Sequence, residues 1–159
     1  MVFRFLFVVL CLSLSFSSGR AYAAKDDKIY TLPAHYIAKH VEGTKGQKRV
    51  LMIYASWCPS CRQKMPQMMD IERAKEGSVI AVSIDENHTN FARYIRKIQS
   101  PPFKIILSKD SEYVLEKALK PIGVKSWEYI PHIVLLDENN KVAGQGSYSP
   151  SEIAEFVFQ

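Results

Sequence analysis

Two cysteines three positions apart, Cys58 and Cys61, stand directly behind an unbroken apolar run, VLMIYA at 50–55. The run has strand length and no polar alternation, the pattern of a strand buried on both faces. Residues 59–75 then carry Met65, Met68, Met69 and Ile71 at helical spacing. The cysteines therefore lie where a buried strand ends and a helix begins. Residues i and i+3 of a helix sit one turn apart with Cα atoms about 5 Å from each other. That is inside the window of about 4.4–6.8 Å that a disulfide needs. Such a pair can open and close with little backbone movement.

Position within the motif separates the two sulfurs. Cys58 is at the helix terminus, where free N–H groups and about half a positive charge favour thiolate over thiol. It is the expected nucleophile. Cys61 lies one turn in, shielded, and is the expected resolving thiol. Pro59 has no N–H to give to either sulfur and pre-sets the helical φ at the first position. Trp57 is expected to shield the pair on one side, and Ser60 lines the site between the sulfurs. Zinc would need four ligands. Here there is one cysteine pair, and His35, His40, His88 and His132 lack the matching spacing. An inert structural pair would close only a tiny loop. Met52, Met65, Met68 and Met69 raise a Cu(I)-binding module with Cys58 and Cys61, although at helical spacing such methionines more often fill a core. His132 is a further possible ligand, with a place at the strand end against solvent or the active-site rim as the commoner reading.

The compartment follows from residues 1–23. A basic start at Arg4, the 12-residue apolar run FLFVVLCLSLSF and Ala21-Tyr22-Ala23 are the three parts of a secretory signal peptide. Twelve residues rise about 18 Å as a helix, short of the roughly 30 Å hydrocarbon core. An uncleaved anchor facing the periplasm is the competing reading. Cleavage after Ala23 leaves residues 24–159 as a single domain. It removes Arg4, Arg20 and Cys11, so Lys+Arg falls from 21 to 19 against 16 acids, a charge of +3. The remaining base is dispersed, so no nucleic-acid footprint is read from it. The export signal also places the surviving cysteine pair where disulfides can form and persist.

Along the mature chain, 24–28 is polar and expected to fray. A helix is expected at 33–41, strands at 50–55 and 78–84, a helix at 87–98, a strand at 103–107 and a helix at 111–119. A strand at 133–136, a turn at 137–140 and a return strand from Lys141 follow. Ser149, Pro150 and Glu152 then spell a capping box opening the last helix. Asp85, Glu86 and Asp110 are expected to be turn and cap residues. The order predicts an α/β fold with a central mixed sheet of four to five strands, parallel at its core with an antiparallel edge, flanked by helices. Pro131 stands just before a buried strand, and its isomer is not fixed by the sequence.

The segment VLMIYASWCPSCRQKMP strongly resembles the active-site segment of exported thioredoxin-like proteins of the TlpA/ResA type. The later SVIAVSIDEN and IPHIVLLDENNKVAGQG blocks are similar in order, so the resemblance spans nearly all of 29–157. It implies a thioredoxin fold, a cis-proline at Pro131 facing the dithiol, and Ile130 lending backbone groups to an incoming peptide. It also implies that Pro66 bends the active-site helix. Two departures stand out. Met52 occupies the strand position where many relatives carry a buried Asp or Asn. Lys64 stands where many carry Glu, and its positive charge is expected to lower the pKa of the active-site thiol.

The expectation is a periplasmic, monomeric thiol:disulfide oxidoreductase without metal or organic cofactor. The resemblance implies the reducing direction, with exported cysteine-containing clients of the apocytochrome c or oxidase-assembly kind and a membrane-bound electron donor. The alternatives are a disulfide-introducing oxidase with the same residues run backwards, the Cu(I) module, and an adaptor with vestigial cysteines.

Overall fold

The computed structural model describes residues 29–99 and 101–159. The presequence expected at 1–23 and the stretch 24–28 expected to fray lie outside the described residues. The elements are β1 (Ile29–Leu32), α1 (Ala34–Gly43), β2 (Arg49–Tyr54), α2 (Pro59–Ala74), β3 (Val79–Ser83), α3 (His88–Lys97), β4 (Ile105–Ser108), α4 (Glu112–Leu119), a 3-10 turn (Lys120–Ile122), β5 (His132–Leu136), β6 (Val142–Gly146) and α5 (Pro150–Phe158). The sheet order is β1-β4-β3-β2-β5-β6. β1 to β4, β4 to β3 and β3 to β2 are parallel, whereas β5 runs antiparallel to β2 and β6 antiparallel to β5.

Among the described residues the sheet has six strands, one more than the upper expectation. The added strand is β1, whose IYTL sequence is only partly buried and follows a polar stretch. Its ladder partner is β4, with Ile29 opposite Ile105 and Leu32 opposite Ser108. A four-residue edge strand is defined by that distant partner, and nothing local in its pattern announces it.

Every residue of β2, β3, β4 and β5 is buried. Alternation along β2 divides the core in two. Val50, Met52 and Tyr54 face Met65 and Met68 of α2, Phe91 and Ile95 of α3, and Ile153 and Val157 of α5. Leu51 and Ile53 face Ile37 and Val41 of α1 and Leu115 and Leu119 of α4. β2 is thus the central strand of a three-layer structure, and its last residue, Tyr54, is buried in the first of the two cores. The four methionines considered for copper lie in the first of these cores beside the two cysteines, as packing residues.

Helix ends follow their sequence signals closely. Ser149 accepts from the Glu152 N–H, and the Glu152 carboxylate accepts from the Ser149 N–H at 2.7 Å, completing the capping box. Asp110 is a cap, but across the fold: its carboxylate accepts the Ala34 N–H at 2.8 Å, at the start of α1. The turn between β5 and β6 is organised by Asp137, whose carboxylate accepts from the N–H groups of Asn139 and Lys141. Ser149→Ala removes one half of the capping box. Urea unfolding should show a loss of about 1 kcal/mol with an unchanged m value.

Candidate active site

The tip of β2 delivers the chain into α2. Cys58 is the residue that caps α2, with φ −78 and ψ 119, and Pro59 takes the first helical position. The Cys58 sulfur accepts the N–H of Cys61 at 3.3 Å, filling the role that a hydroxyl or carboxylate plays at ordinary helix starts. The Ser60 hydroxyl lies 3.2 Å from the same sulfur and 3.4 Å from the Ile130 carbonyl. The Cys58 thiol is 3.6 Å from that carbonyl. Both cysteines are free thiols, Cys58 5% exposed and Cys61 fully buried.

Ile130 reaches the site because β5 is paired antiparallel to β2, with His132 opposite Ile53. The residues just before β5 therefore come alongside the end of β2. The Ile130–Pro131 peptide bond is cis, and Pro131 is buried. Trp57 and Tyr129 are exposed, 63% and 55%, the first directly before Cys58 and the second directly before Ile130. Trp57 opens onto a cleft of about 630 Å³ that also includes Asp85, Glu86, His88 and Glu112. α2 continues without interruption through Pro66.

The two sulfurs have opposite electrostatics. Burial works against ionising Cys58, but hydrogen bonds to its sulfur from Cys61 and Ser60 outweigh it and lower its pKa. Burial raises Cys61, and its hydrogen bond to Cys58 together with the negative charges of Cys58 and Asp85 pushes it up to about 12, against a backbone hydrogen bond from Ala55. One sulfur is prepared to be a thiolate and its neighbour to stay a thiol.

Lys64 is half-buried, and its Nζ donates to the Tyr148 carbonyl at 2.6 Å. Burial lowers its pKa, while the charges of Glu152 and Cys61 raise it. The thiol with which Lys64 is coupled is thus Cys61.

Sequence reasoning missed a polar cluster behind the motif. Asp85, expected in a turn, is 3% exposed at the end of β3. One carboxylate oxygen accepts the Ser56 N–H at 2.7 Å and the Ser83 hydroxyl at 2.6 Å, and the other accepts the Ser56 hydroxyl at 2.5 Å. The Arg62 Nε donates to the Ser56 carbonyl, and its guanidinium lies 5.7 Å from the centre of the Tyr94 ring. Burial pushes Tyr94 up to about 12 and Tyr54 well above its ordinary value, with Asp85 and Cys61 adding to both. A signal was available: Asp85 comes just after a buried parallel strand, at the sheet end where the C-x-x-C motif also lies.

His132 is corrected in a different way. It is buried and stacks on Trp127, with ring centroids 5.4 Å apart, in the core on the other side of the sheet from the cysteines. Alternation along β5 explains this, because Ile133 faces the dithiol side. Burial lowers its pKa. It is neither a rim residue nor a ligand beside the sulfurs. Among the described residues no cluster of three or more His, Cys, Asp or Glu could hold a metal ion.

A six-stranded mixed sheet, a cysteine-capped helix and a facing cis-proline define a thioredoxin-type dithiol protein. The chain belongs to the thioredoxin-like family, whose model matches residues 46–142, and it is a thiol-disulfide oxidoreductase of that fold. It is 27% identical over 123 residues to sporulation thiol-disulfide oxidoreductase A of Bacillus subtilis, covering 70% of this chain and 73% of that one. Among solved structures it is similar in fold to a thiol:disulfide interchange protein of Chlorobium tepidum, with TM-score 0.59 and 21% identity over 76% of this chain and 82% of the other. The thioredoxin domain of a thiol-disulfide oxidoreductase from Bacteroides vulgatus is likewise similar in fold, with TM-score 0.57 and 20% identity over 71% and 81%.

Ser60→Ala removes one hydrogen bond from the Cys58 sulfur. The pH midpoint of Cys58 alkylation should rise toward the ordinary thiol value, near 8.5. A linked effect on stability follows. Folding depresses the Cys58 pKa, so ionised Cys58 stabilises the reduced protein above the ordinary thiol value. That contribution is lost as pH falls through the lowered value, and Ser60→Ala should shrink it.

Proposed function

We propose that the protein is exported and reduces disulfides in cysteine-containing proteins outside the cytoplasm, with Cys58 as nucleophile and Cys61 as resolving thiol. The observation that carries the assignment of roles is the Cys58 sulfur's place as the cap of α2, accepting the Cys61 N–H. The Cys58 thiolate attacks one sulfur of a client disulfide, forming a mixed disulfide and releasing the other client sulfur as a thiolate. Cys61, once deprotonated, attacks the Cys58 sulfur. The Cys58–Cys61 disulfide forms and the second client thiolate leaves. Two electrons have passed to the client, and a membrane-bound donor restores the dithiol.

Each supporting residue has a task in this scheme. Pro59 starts the helix without an N–H to compete for sulfur. Ser60 donates to the thiolate. Trp57 and Tyr129 offer aromatic surface beside the attacking sulfur, and Ile130 offers backbone groups beside Pro131. Lys64 places positive charge toward Cys61. Export rests on the presequence pattern at 1–23 and cleavage after Ala23. The preference for reduction, and for clients of the apocytochrome c or oxidase-assembly kind, rests on the TlpA/ResA-type resemblance.

Insulin reduction with dithiothreitol as electron source tests the roles. Cys58→Ser should abolish turnover. Cys61→Ser should accumulate a client-linked mixed disulfide through Cys58, and trapping through Cys61 instead would reverse the assignment. The reduction potential of the pair tests direction. A value below about −230 mV fits a reductase, and one near −120 mV would make the protein an oxidase.

A further inference from the structure

The buried carboxylate of Asp85 has no part in the scheme so far. It lies beneath the turn that joins β2 to α2, because β3 runs parallel to β2 with Ser83 opposite Tyr54. Two residues beyond that pairing the chain buries an acid, with a serine donor on each side. Ser56 is bound to it twice, through its N–H and its hydroxyl, and Ser83 once. A carboxylate has about four acceptor sites, so three donors fix its position and orientation. Ser56 is held from the other side by Arg62. Ala55, directly before it, accepts the Cys58 N–H and supplies the backbone hydrogen bond to Cys61. The carboxylate is therefore a rigid anion tied to the backbone on which both cysteines rest.

We propose that Asp85 is a positioning residue for the dithiol: it anchors the Ser56 turn and, as a fixed buried anion, keeps Cys61 in the thiol form, so that the active site carries its thiolate on Cys58 alone. The proposal rests on the thiol–disulfide exchange reading above and adds a residue to it. A buried charge is screened far less than a surface one, and a like charge nearby disfavours ionisation. Burial is the main reason that Cys61, Tyr94 and Tyr54 are all raised, and Asp85 adds to each of the three, as one anion amid three acids would. The groups around Cys61 are Cys58 at the cap of α2, Lys64 of α2, Tyr54 of β2, Asp85 beyond β3 and Tyr94 of α3. Arg62 bears on Tyr94, and Glu152 on Lys64.

Asp85 acts differently on the two halves of the cycle. In the reduced protein it helps confine ionisation to Cys58. In the mixed disulfide the Cys58 charge is gone, and with it two of the influences that raise Cys61. Asp85 then remains as the anion opposing Cys61 ionisation. It restrains the resolving step, prolonging the mixed disulfide.

The test is Asp85→Asn, which keeps the shape and removes the charge, with Asp85→Glu as the charge-retaining control. Cys61 alkylation is followed against pH in a Cys58→Ser background. Client release from a preformed mixed disulfide is followed with Cys58 present. The Cys61 midpoint should fall by about one pH unit in Asp85→Asn, and Asp85→Glu should stay near the parent. One unit lower means tenfold more thiolate of somewhat lower nucleophilicity, so client release at pH 7 should quicken about threefold. An unmoved midpoint would overturn the proposal and leave Asp85 a purely structural group. Slower release would overturn it too, because the carboxylate would then be accepting the Cys61 proton. Asp85→Ser replaces Asn if the latter does not fold, and loss of the fold in both is a third contrary result. The Cys61 midpoint is read without any client, so it stands even if the exchange reading fails.

Discussion

A helix that begins with a cysteine in place of a hydroxyl or carboxylate gives its first free N–H groups to sulfur. That substitution is the interaction on which this site depends. The Cys61 N–H at 3.3 Å binds the sulfur of the residue that precedes the helix by one position. The donor belongs to the second cysteine, so geometry and chemistry are coupled. Moving Cys61 out of the first turn would remove the partner sulfur and its side-chain hydrogen bond to Cys58, whereas the backbone N–H at position 61 would stay. Burial costs an ionised thiol, and only donors placed this closely reverse the sign.

The rest of the fold exists around that junction in a definite sense. β2 is the strand with long neighbours on both sides, β3 parallel and β5 antiparallel. Because β5 runs the other way, its start comes beside the end of β2, bringing Ile130 and Pro131 to the Cys58 sulfur. Because β3 runs the same way, its end comes there too, bringing Asp85 beneath Ser56. One strand end thus gathers a backbone carbonyl from one flank and a buried anion from the other. The helices that cover the two faces bury β2 to β5, and a cleft opens beside Trp57. The two sulfurs differ in exposure by little, 5% against none. Burial opposes ionisation of both, and the donors around Cys58 outweigh it there, while at Cys61 the Cys58 sulfur and the nearby charges add to it.

What could be read from the sequence followed from local rules. The run at 50–55 and the C-x-x-C motif behind it locate the strand, the helix and the order of the sulfurs without any distant contact. The capping box at Ser149 is equally local. The unread features all depend on pairing. β1 is four residues of mixed pattern whose strand character comes from β4. Asp85 reads as a turn residue until β3 is laid beside β2 and Ser56 closes on it. His132 sits one residue from the site in sequence, yet alternation along β5 turns it into the opposite core against Trp127. Lys64 was legible as a charge near the motif, but not that its coupling would be with Cys61.

The central claim is that one sulfur of the pair is prepared as a thiolate while its neighbour is held as a thiol. Separate titration of the two cysteines tests it most directly, by following the Cβ resonances of ¹³C-labelled cysteine in the reduced protein across the alkaline range. The account predicts two well-separated midpoints, Cys58 below the ordinary thiol value and Cys61 pushed up to about 12. A single shared midpoint near the ordinary value, or the reverse order, would contradict it.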